Sequence, residues 1–127
     1  MASQSNKLEG KRTHMAMIHL SQDQRHFLSS VGEKTGLSAT KLVLRGIKKL
    51  GSQAVTDPPT SGPFSVLFSL CMDTKSLADA DRLAEAAGCS RAEIIRRIIV
   101  RGQRLWEQEQ SVTRPFSDVF FSGEAQP

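Results

Sequence analysis

Three histidines and two cysteines are the side chains of this sequence best suited to bind a metal ion. The histidines are His14, His19 and His26, and the cysteines are Cys71 and Cys89. Their spacings match no pattern of zinc sites, and alternation along a predicted strand puts His14 and His19 on opposite faces. We therefore expect no metal site, and no cofactor of any other kind.

Side chains that could carry out catalysis are not grouped in a recognisable way. Asp79 and Asp81 are two residues apart on a predicted helix, so their carboxylates point in different directions. No nucleophile with a partnered base stands out, and neither does a glycine-rich phosphate loop. We predict that the protein is not an enzyme.

The charge of the chain is positive and unevenly distributed. The 127 residues carry a net charge of +4 and are 39% hydrophobic, which is enough for one ordinary core. Residues 1–52 hold nine Lys and Arg against three acids, whereas residues 53–127 hold eight against ten. The basic half is the one expected to face a polyanion, and a solvated charged surface is the alternative.

No segment of the sequence predicts export or membrane insertion. The chain opens without a signal peptide, and the two cysteines are far apart. The longest apolar run, residues 64–72, is interrupted by two serines and is far shorter than the roughly 20 residues that cross a bilayer. We predict a cytoplasmic protein that does not contact a membrane.

Two stretches alternate between apolar and other side chains, as half-buried strands do. The first runs from Met15 to Leu20 and the second from Ser65 to Met72. The face expected to be buried carries Ala16, Ile18, Leu20, Val66, Phe68, Leu70 and Met72. The opposite face carries Met15, Met17, His19, Ser65, Leu67, Ser69 and Cys71.

The first strand is followed by the signals for two helices. A capping box from Ser21 to Gln24 begins a helix that we expect to end at Gly36. Ser38 caps a second helix, which we expect Gly51 to end.

The second strand is followed by the same signals. Asp73 caps a helix that ends at Gly88, and Ser90 with Glu93 forms another capping box. The apolar positions of the last helix are Ile94, Ile95, Ile98 and Ile99, and its basic positions are Arg91, Arg96, Arg97, Arg101 and Arg104. We therefore expect a core helix with a positively charged outer face.

The two halves of the chain are an internal repeat. A shift of 52 residues places Ser21 on Asp73 and Gly36 on Gly88 without a gap. One strand with two helices cannot bury its own apolar face, because the strand has no partner and the helical layer stays open on one side. We expect two copies to pair their strands antiparallel over four helices.

These residues resemble the ribbon-helix-helix, or MetJ/Arc, superfamily. The resemblance rests on the alternating strand, the helix of constant length to Gly36 or Gly88, and the turns Gly-Leu-Ser-Ala-Thr and Gly-Cys-Ser-Arg-Ala, and it covers roughly residues 15–105. In that family two chains normally dimerise. Here both units lie in one chain, as in tandem members that act in conjugation and in T-DNA transfer of Ti plasmids. The resemblance implies an α+β fold, mainly α, in which the two units form an intramolecular pseudo-dimer.

The expected organisation has five segments. They are a disordered basic arm at 1–13, a first unit at 14–51, a linker at 52–63, a second unit at 64–106 that shares one compact domain with the first, and a flexible acidic tail at 107–127.

The resemblance also implies that the ribbon lies in the major groove of DNA. The implied base-facing residues are Met15, Met17, His19, Leu67, Ser69 and Cys71. The implied phosphate contacts are Lys11 and Arg12 of the arm, together with Ser38, Ala39, Thr40, Lys41, Ser90, Arg91 and Ala92 at two helix starts, whose unpaired amides attract anions. Outward ribbon positions in the family tend to be Arg, Lys, Asn, Gln or Thr, so we expect weak or shape-dependent specificity here.

The function implied is double-stranded DNA binding by an accessory factor in conjugative or T-DNA-like DNA processing and transfer. Its expected partners are duplex DNA and a relaxase or other transfer protein, and the monomeric pseudo-dimer could assemble further on DNA. Two alternatives stay open. One is a transcriptional repressor that could regulate its own gene, and the other is a protein-interaction module that kept the fold.

Overall fold

The structure is a computed structural model that describes residues 14–110. In chain order its elements are β1 (His14–Leu20), α1 (Gln22–Thr35), α2 (Ala39–Ala54), β2 (Val66–Met72), α3 (Thr74–Ala87) and α4 (Arg91–Gln110). Over this range the fold is α+β and mainly helical, with four helices and a two-stranded antiparallel sheet, which confirms the predicted class. The predicted arm and the predicted tail beyond Gln110 lie outside the described residues.

The two strands pair along their whole length to form a ribbon. Met17 lies opposite Ser69 at the centre of the ribbon, and these two residues occupy the same position in the two halves of the chain. The predicted division of faces is confirmed, because the side chains of β1 alternate between exposed and buried from Met15 to Leu20. In β2, Val66 and Cys71 are both half-buried, whereas the prediction has Val66 on the buried face and Cys71 on the exposed face.

Side-chain caps begin the helices where the sequence places them. The Ser21 capping box is complete, because Ser21 and Gln24 each accept a hydrogen bond from the backbone N–H of the other. Ser38 and Asp73 accept hydrogen bonds from the third helical N–H of α2 and α3. Each cap satisfies an amide that would otherwise lack a partner, which fixes where each helix starts.

Two glycines end α1 and α3 in the left-handed backbone region. Gly36 has a φ of 77° and Gly88 a φ of 70°, and each donates its N–H back to the last turn of its helix. A residue with a Cβ atom is disfavoured in this conformation, so glycine is the residue expected at both positions.

Replacing Gly88 with Ala should lower the free energy of unfolding by about 1–2 kcal/mol, because an L side chain is strained in the left-handed region. A Cβ at this position would meet no atom within 4 Å, so the cost comes from the backbone and not from a clash. Gly88→Asn should cost clearly less, since Asn tolerates this region. Urea unfolding of the three proteins measures the difference, and equal costs for Ala and Asn would contradict the backbone explanation.

The α2 helix is longer than predicted. Gly51 does not end it, and it continues to Ala54. Gly51 is buried against α3, and a Cβ there would collide with Leu83, so this glycine allows two helices to approach closely. The last helix continues to Gln110, so the first four residues of the predicted tail are helical and Glu109 is buried.

The capping box predicted at Ser90 is only half formed. Ser90 Oγ accepts a hydrogen bond from the N–H of Glu93 at 3.1 Å. The carboxylate of Glu93 instead accepts hydrogen bonds from Thr60 N at 2.8 Å and from Thr60 Oγ1 at 2.7 Å. Thr60 belongs to the segment between the two halves, so this carboxylate fastens that segment to α4.

The segment of residues 55–65, here called the connector, is held against α4 by further contacts. Arg101 donates to both carboxylate oxygens of Asp57 at 2.9 and 2.8 Å, and the hydrogen bonds from Arg101 lower the pKa of Asp57. Arg97 Nη1 donates to the Asp57 carbonyl oxygen at 3.1 Å. The guanidinium of Arg96 stacks 4.0 Å from the ring centre of Phe64. The predicted linker is therefore a segment with a defined path over the last helix.

The core lies between the inner face of the ribbon and the four helices. Its fully buried large side chains are Leu20, Val31, Leu42, Val43, Leu70, Met72, Ile94, Ile95 and Ile98. The α2 and α4 helices make the most extensive helix–helix contact. None of the helices in residues 14–110 is long and apolar enough to span a membrane.

Candidate nucleic-acid interface

The structure brings all six predicted base-facing residues onto the outer face of the ribbon. They form three directly opposed cross-strand pairs, which are Met15 with Cys71, Met17 with Ser69, and His19 with Leu67. Met15, Met17 and Leu67 are 63%, 55% and 52% exposed, which makes them the large apolar side chains most open to solvent in the described chain. Cys71 is half-buried, so it contributes less to this face than predicted.

Hydrogen-bonding groups are few on this face. Ser69 Oγ donates to the thioether sulfur of Met17 at 3.1 Å, which turns the hydroxyl proton towards its neighbour. The imidazole of His19 is exposed and makes no hydrogen bond within residues 14–110. The surface is thus mainly apolar and polarisable, with one imidazole and one hydroxyl able to recognise a polar partner.

Arginines of the helices support the ribbon from below. Arg96 Nη1 donates to the His19 carbonyl oxygen at 2.9 Å, and its guanidinium also stacks on Phe64 just before β2. Arg25 of α1 lies 5.5 Å from the ring centre of Phe68. These contacts fix the end of the ribbon at which β1 stops and β2 starts. The sequence placed Arg96 only on a basic face, and no local pattern predicted its contacts across the fold.

The start of α2 is one of the two helix starts at which phosphate contacts are predicted. Ser38 is exposed, and its hydroxyl accepts the Lys41 N–H at 3.1 Å. Ala39 and Thr40 follow in the first turn, and the ammonium of Lys41 is exposed without a partner in the described chain. This helix start therefore presents a positive charge beside backbone amides, a combination that attracts anions.

The start of α4 differs in charge from that of α2. Arg91 donates through Nε and Nη2 to the two carboxylate oxygens of Asp81 at 2.7 and 3.1 Å. This pairing raises the pKa of Arg91 and lowers that of Asp81, so both groups stay charged and neutralise each other. Ser90 and Ala92 beside it add no charge. The predicted phosphate contact of Arg91 is thus already occupied by a carboxylate.

The position equivalent to Lys41 strengthens this difference, because it holds the acid Glu93. Burial raises the pKa of Glu93, but the hydrogen bonds from Thr60 and Arg97 outweigh it, so the pKa lies below its ordinary value. The start of α2 is therefore cationic, whereas the start of α4 has a neutral ion pair and a half-buried anion.

Comparisons with protein-family models, with curated proteins and with solved structures gave no match for this chain. The predicted contacts Lys11 and Arg12 lie outside the described residues. Residues 14–110 contain no group of three His, Cys, Asp or Glu side chains that could hold a metal ion.

Asp81 is the residue of the candidate site that sequence patterns missed, because its carboxylate pairs with Arg91. The two residues are ten positions apart on different helices, and only the turn between α3 and α4 brings them together. No periodicity within either helix carries that information.

Proposed function

We propose that this chain is a double-stranded DNA-binding protein with a tandem ribbon-helix-helix fold, which inserts the β1–β2 ribbon into the major groove. The observation that carries the proposal is the ribbon itself, a two-stranded antiparallel sheet whose outer face is exposed and whose inner face packs on the helices. The major groove is wide enough to admit such a ribbon.

The equivalence of the two halves supports the tandem fold. Every element of the second half begins 52 residues after its counterpart, from His14 and Val66 to Ala39 and Arg91. Both halves use a side-chain cap and a left-handed glycine at matching positions. The biological role proposed is an accessory factor in conjugative or T-DNA-like transfer, and a relaxase or other transfer protein is the further partner that this role implies.

Fluorescence anisotropy across a salt series tests the proposal. The probes are duplex fragments from the replicon that encodes the protein, including its own promoter and its transfer region, and a random duplex of equal length. We expect affinity that falls steeply with salt and a preference for particular fragments, because phosphate contacts dominate and the ribbon adds selectivity. A preference for the promoter would indicate a repressor instead. No binding to any duplex at low salt would overturn the proposal.

Two substitutions separate the parts of the proposed interface. Lys41→Ala should weaken binding to all duplexes about equally and reduce the salt dependence, because it removes one phosphate contact. His19→Ala should change the preference among duplexes, since it alters a ribbon side chain.

A second function, binding a protein through the ribbon, is favoured by one specific observation. Met15, Met17 and Leu67 form an exposed apolar group where a DNA-reading surface would carry polar side chains. The absence of DNA binding together with capture of a transfer protein by the ribbon would support this function.

The Asp81–Arg91 pair predicts a gain of affinity. Asp81→Asn should strengthen binding to duplex DNA by about three- to tenfold, because it releases Arg91 at the start of α4 for a phosphate and steepens the salt dependence. Asp79→Asn is the matched control. It removes the same charge from the same helix, but Asp79 pairs with Lys75 and Arg82, away from Arg91. An equal gain for both variants would mean that only net charge matters.

A further inference from the structure

A cleft of about 1130 Å³ opens between the start of α1, the connector and α4. Gln24 and Arg97 line it, and both side chains are almost completely buried, with exposed fractions of 3% and 8%. Arg104 lies at its open side, and Pro58, Pro59 and Val100 give it apolar walls.

The carboxylates that line the cleft already have donors. Asp23 Oδ2 accepts a hydrogen bond from Gln103 Nε2 at 2.9 Å. Both oxygens of Asp57 accept from Arg101. The charge of Asp57 is therefore balanced by Arg101. Asp23 keeps its charge, because Gln103 is neutral.

The donors that line the cleft are not all used. Gln24 Oε1 accepts the Ser21 N–H, while Gln24 Nε2 has no partner within residues 14–110. Arg97 donates through Nε to Glu93 and through Nη1 to the Asp57 carbonyl, which leaves Nη2 without a partner in the same range. Arg104 makes no ion pair or hydrogen bond there either. Neither Gln24 Nε2 nor Arg97 Nη2 is a fully buried unpartnered atom, so both donate to the water that fills the cleft. A ligand with acceptors can replace that water.

We propose that this cleft binds a small organic anion whose carboxylate or phosphate oxygens accept hydrogen bonds from Gln24, Arg97 and Arg104. Planar guanidinium groups suit both kinds of oxygen group. The cleft is as large as the sites that hold ligands of drug size, so the ligand has a body beyond its anionic group, and the proline and valine walls contact that body.

The equivalent place in the other half is much smaller in the part of the chain that the structure describes. At the equivalent place Arg45 stands for Arg97 and Ser76 for Gln24, and the space there is about 200 Å³. The connector supplies one wall of the large cleft, and within residues 14–110 no second connector covers the equivalent place. The site is therefore not a general product of the repeated fold.

NMR titration of the full ¹⁵N-labelled chain with inorganic phosphate, and separately with succinate, tests the proposal without DNA. We expect saturable shifts at the backbone and side-chain amides of Gln24 and at the amides of the connector. A response to phosphate alone or to succinate alone would identify the anionic group that the site prefers. The test is independent of the proposed function, because either can fail while the other holds.

Two variants and one control locate the site. Gln24→Glu keeps the capping box, since Glu serves at this position, but exchanges the free donor for a carboxylate. Arg104→Gln removes an exposed charge. Each should weaken binding about tenfold, as expected for one charge-assisted contact. Arg45→Gln makes the same charge change as Arg104→Gln on α2, outside the cleft, and should leave binding unchanged. Absence of saturable shifts with both anions, or equal weakening in all three variants, would overturn the proposal.

Discussion

Replacing Met17 with Glu is expected to lower the affinity for duplex DNA by at least about a hundredfold, because it places a carboxylate among the phosphates and the acceptor-rich base edges of the major groove. Met17 lies at the centre of the ribbon and is 55% exposed. The substitution should therefore leave the fold intact. Anisotropy at one fixed salt concentration measures the loss, and circular dichroism with thermal unfolding checks the fold.

Ala86→Glu is the matched control for this prediction. Ala86 is exposed on α3, so Glu at this site changes the net charge by the same amount without touching the ribbon. It should reduce affinity only slightly, through long-range repulsion that salt screens. If both variants bind DNA equally well, the ribbon is not the DNA-binding face, and the exposed methionines and Leu67 would belong to a protein contact.

Replacing Arg97 with Met should lower the free energy of unfolding by about 2 kcal/mol, because it removes a charge-assisted hydrogen bond to Glu93 and the donor to the Asp57 carbonyl. The Glu93 carboxylate keeps its other partners, Thr60 and Arg96. Arg97 is 8% exposed and donates to Glu93 at 3.0 Å and to the Asp57 carbonyl at 3.1 Å. The substitution therefore weakens the hold on the connector as well as the pair itself. Urea unfolding measures the effect.

Arg45→Met provides the comparison, because Arg45 occupies the same position in the first half of the repeat. Arg45 is exposed and has no ion pair or hydrogen bond in the described chain, so its replacement should change stability by less than about 0.5 kcal/mol. Similar losses of unfolding free energy at the two positions would show that each arginine stabilises only its own helix. A loss confined to Arg97 would show that the stabilisation comes from its contacts with the connector.

Much of the fold was predictable because its signals are local. The alternation from Met15 to Leu20 fixes which side chains are buried, and this division is confirmed. Ser21, Gly36 and Gly88 act within one turn of the helices they start or end, so their types suffice to place those ends. The strand pairing also follows, since a single exposed strand has no other partner in the chain.

Local features that depend on distant packing could not be predicted. Gly51 has the type of a helix terminator, but it is buried where α3 approaches α2, and its backbone is not left-handed. Glu93 has the type of a capping residue, but Thr60 of the connector provides stronger partners. In both cases the deciding neighbour lies more than thirty residues away.

The candidate site was predicted in the same uneven way. The alternation of side chains along the strands predicts which residues lie on the outer ribbon face. The structure places all six predicted base-facing residues there. Charge at the helix starts does not follow from composition, because the Asp81 carboxylate neutralises Arg91 while Lys41 stays unpaired. Whether the grouped residues touch DNA stays a prediction for the binding measurements.

The pairing of Met17 with Ser69 has one more consequence. These equivalent residues face each other, so an approximate two-fold axis passes between them. In an assembly of two identical chains the two sides of such an axis would carry the same side chains. Here Met15 is matched by Leu67 and His19 by Cys71. The two ends of the ribbon therefore differ chemically. A partner complementary to the ribbon binds in a single orientation along its length.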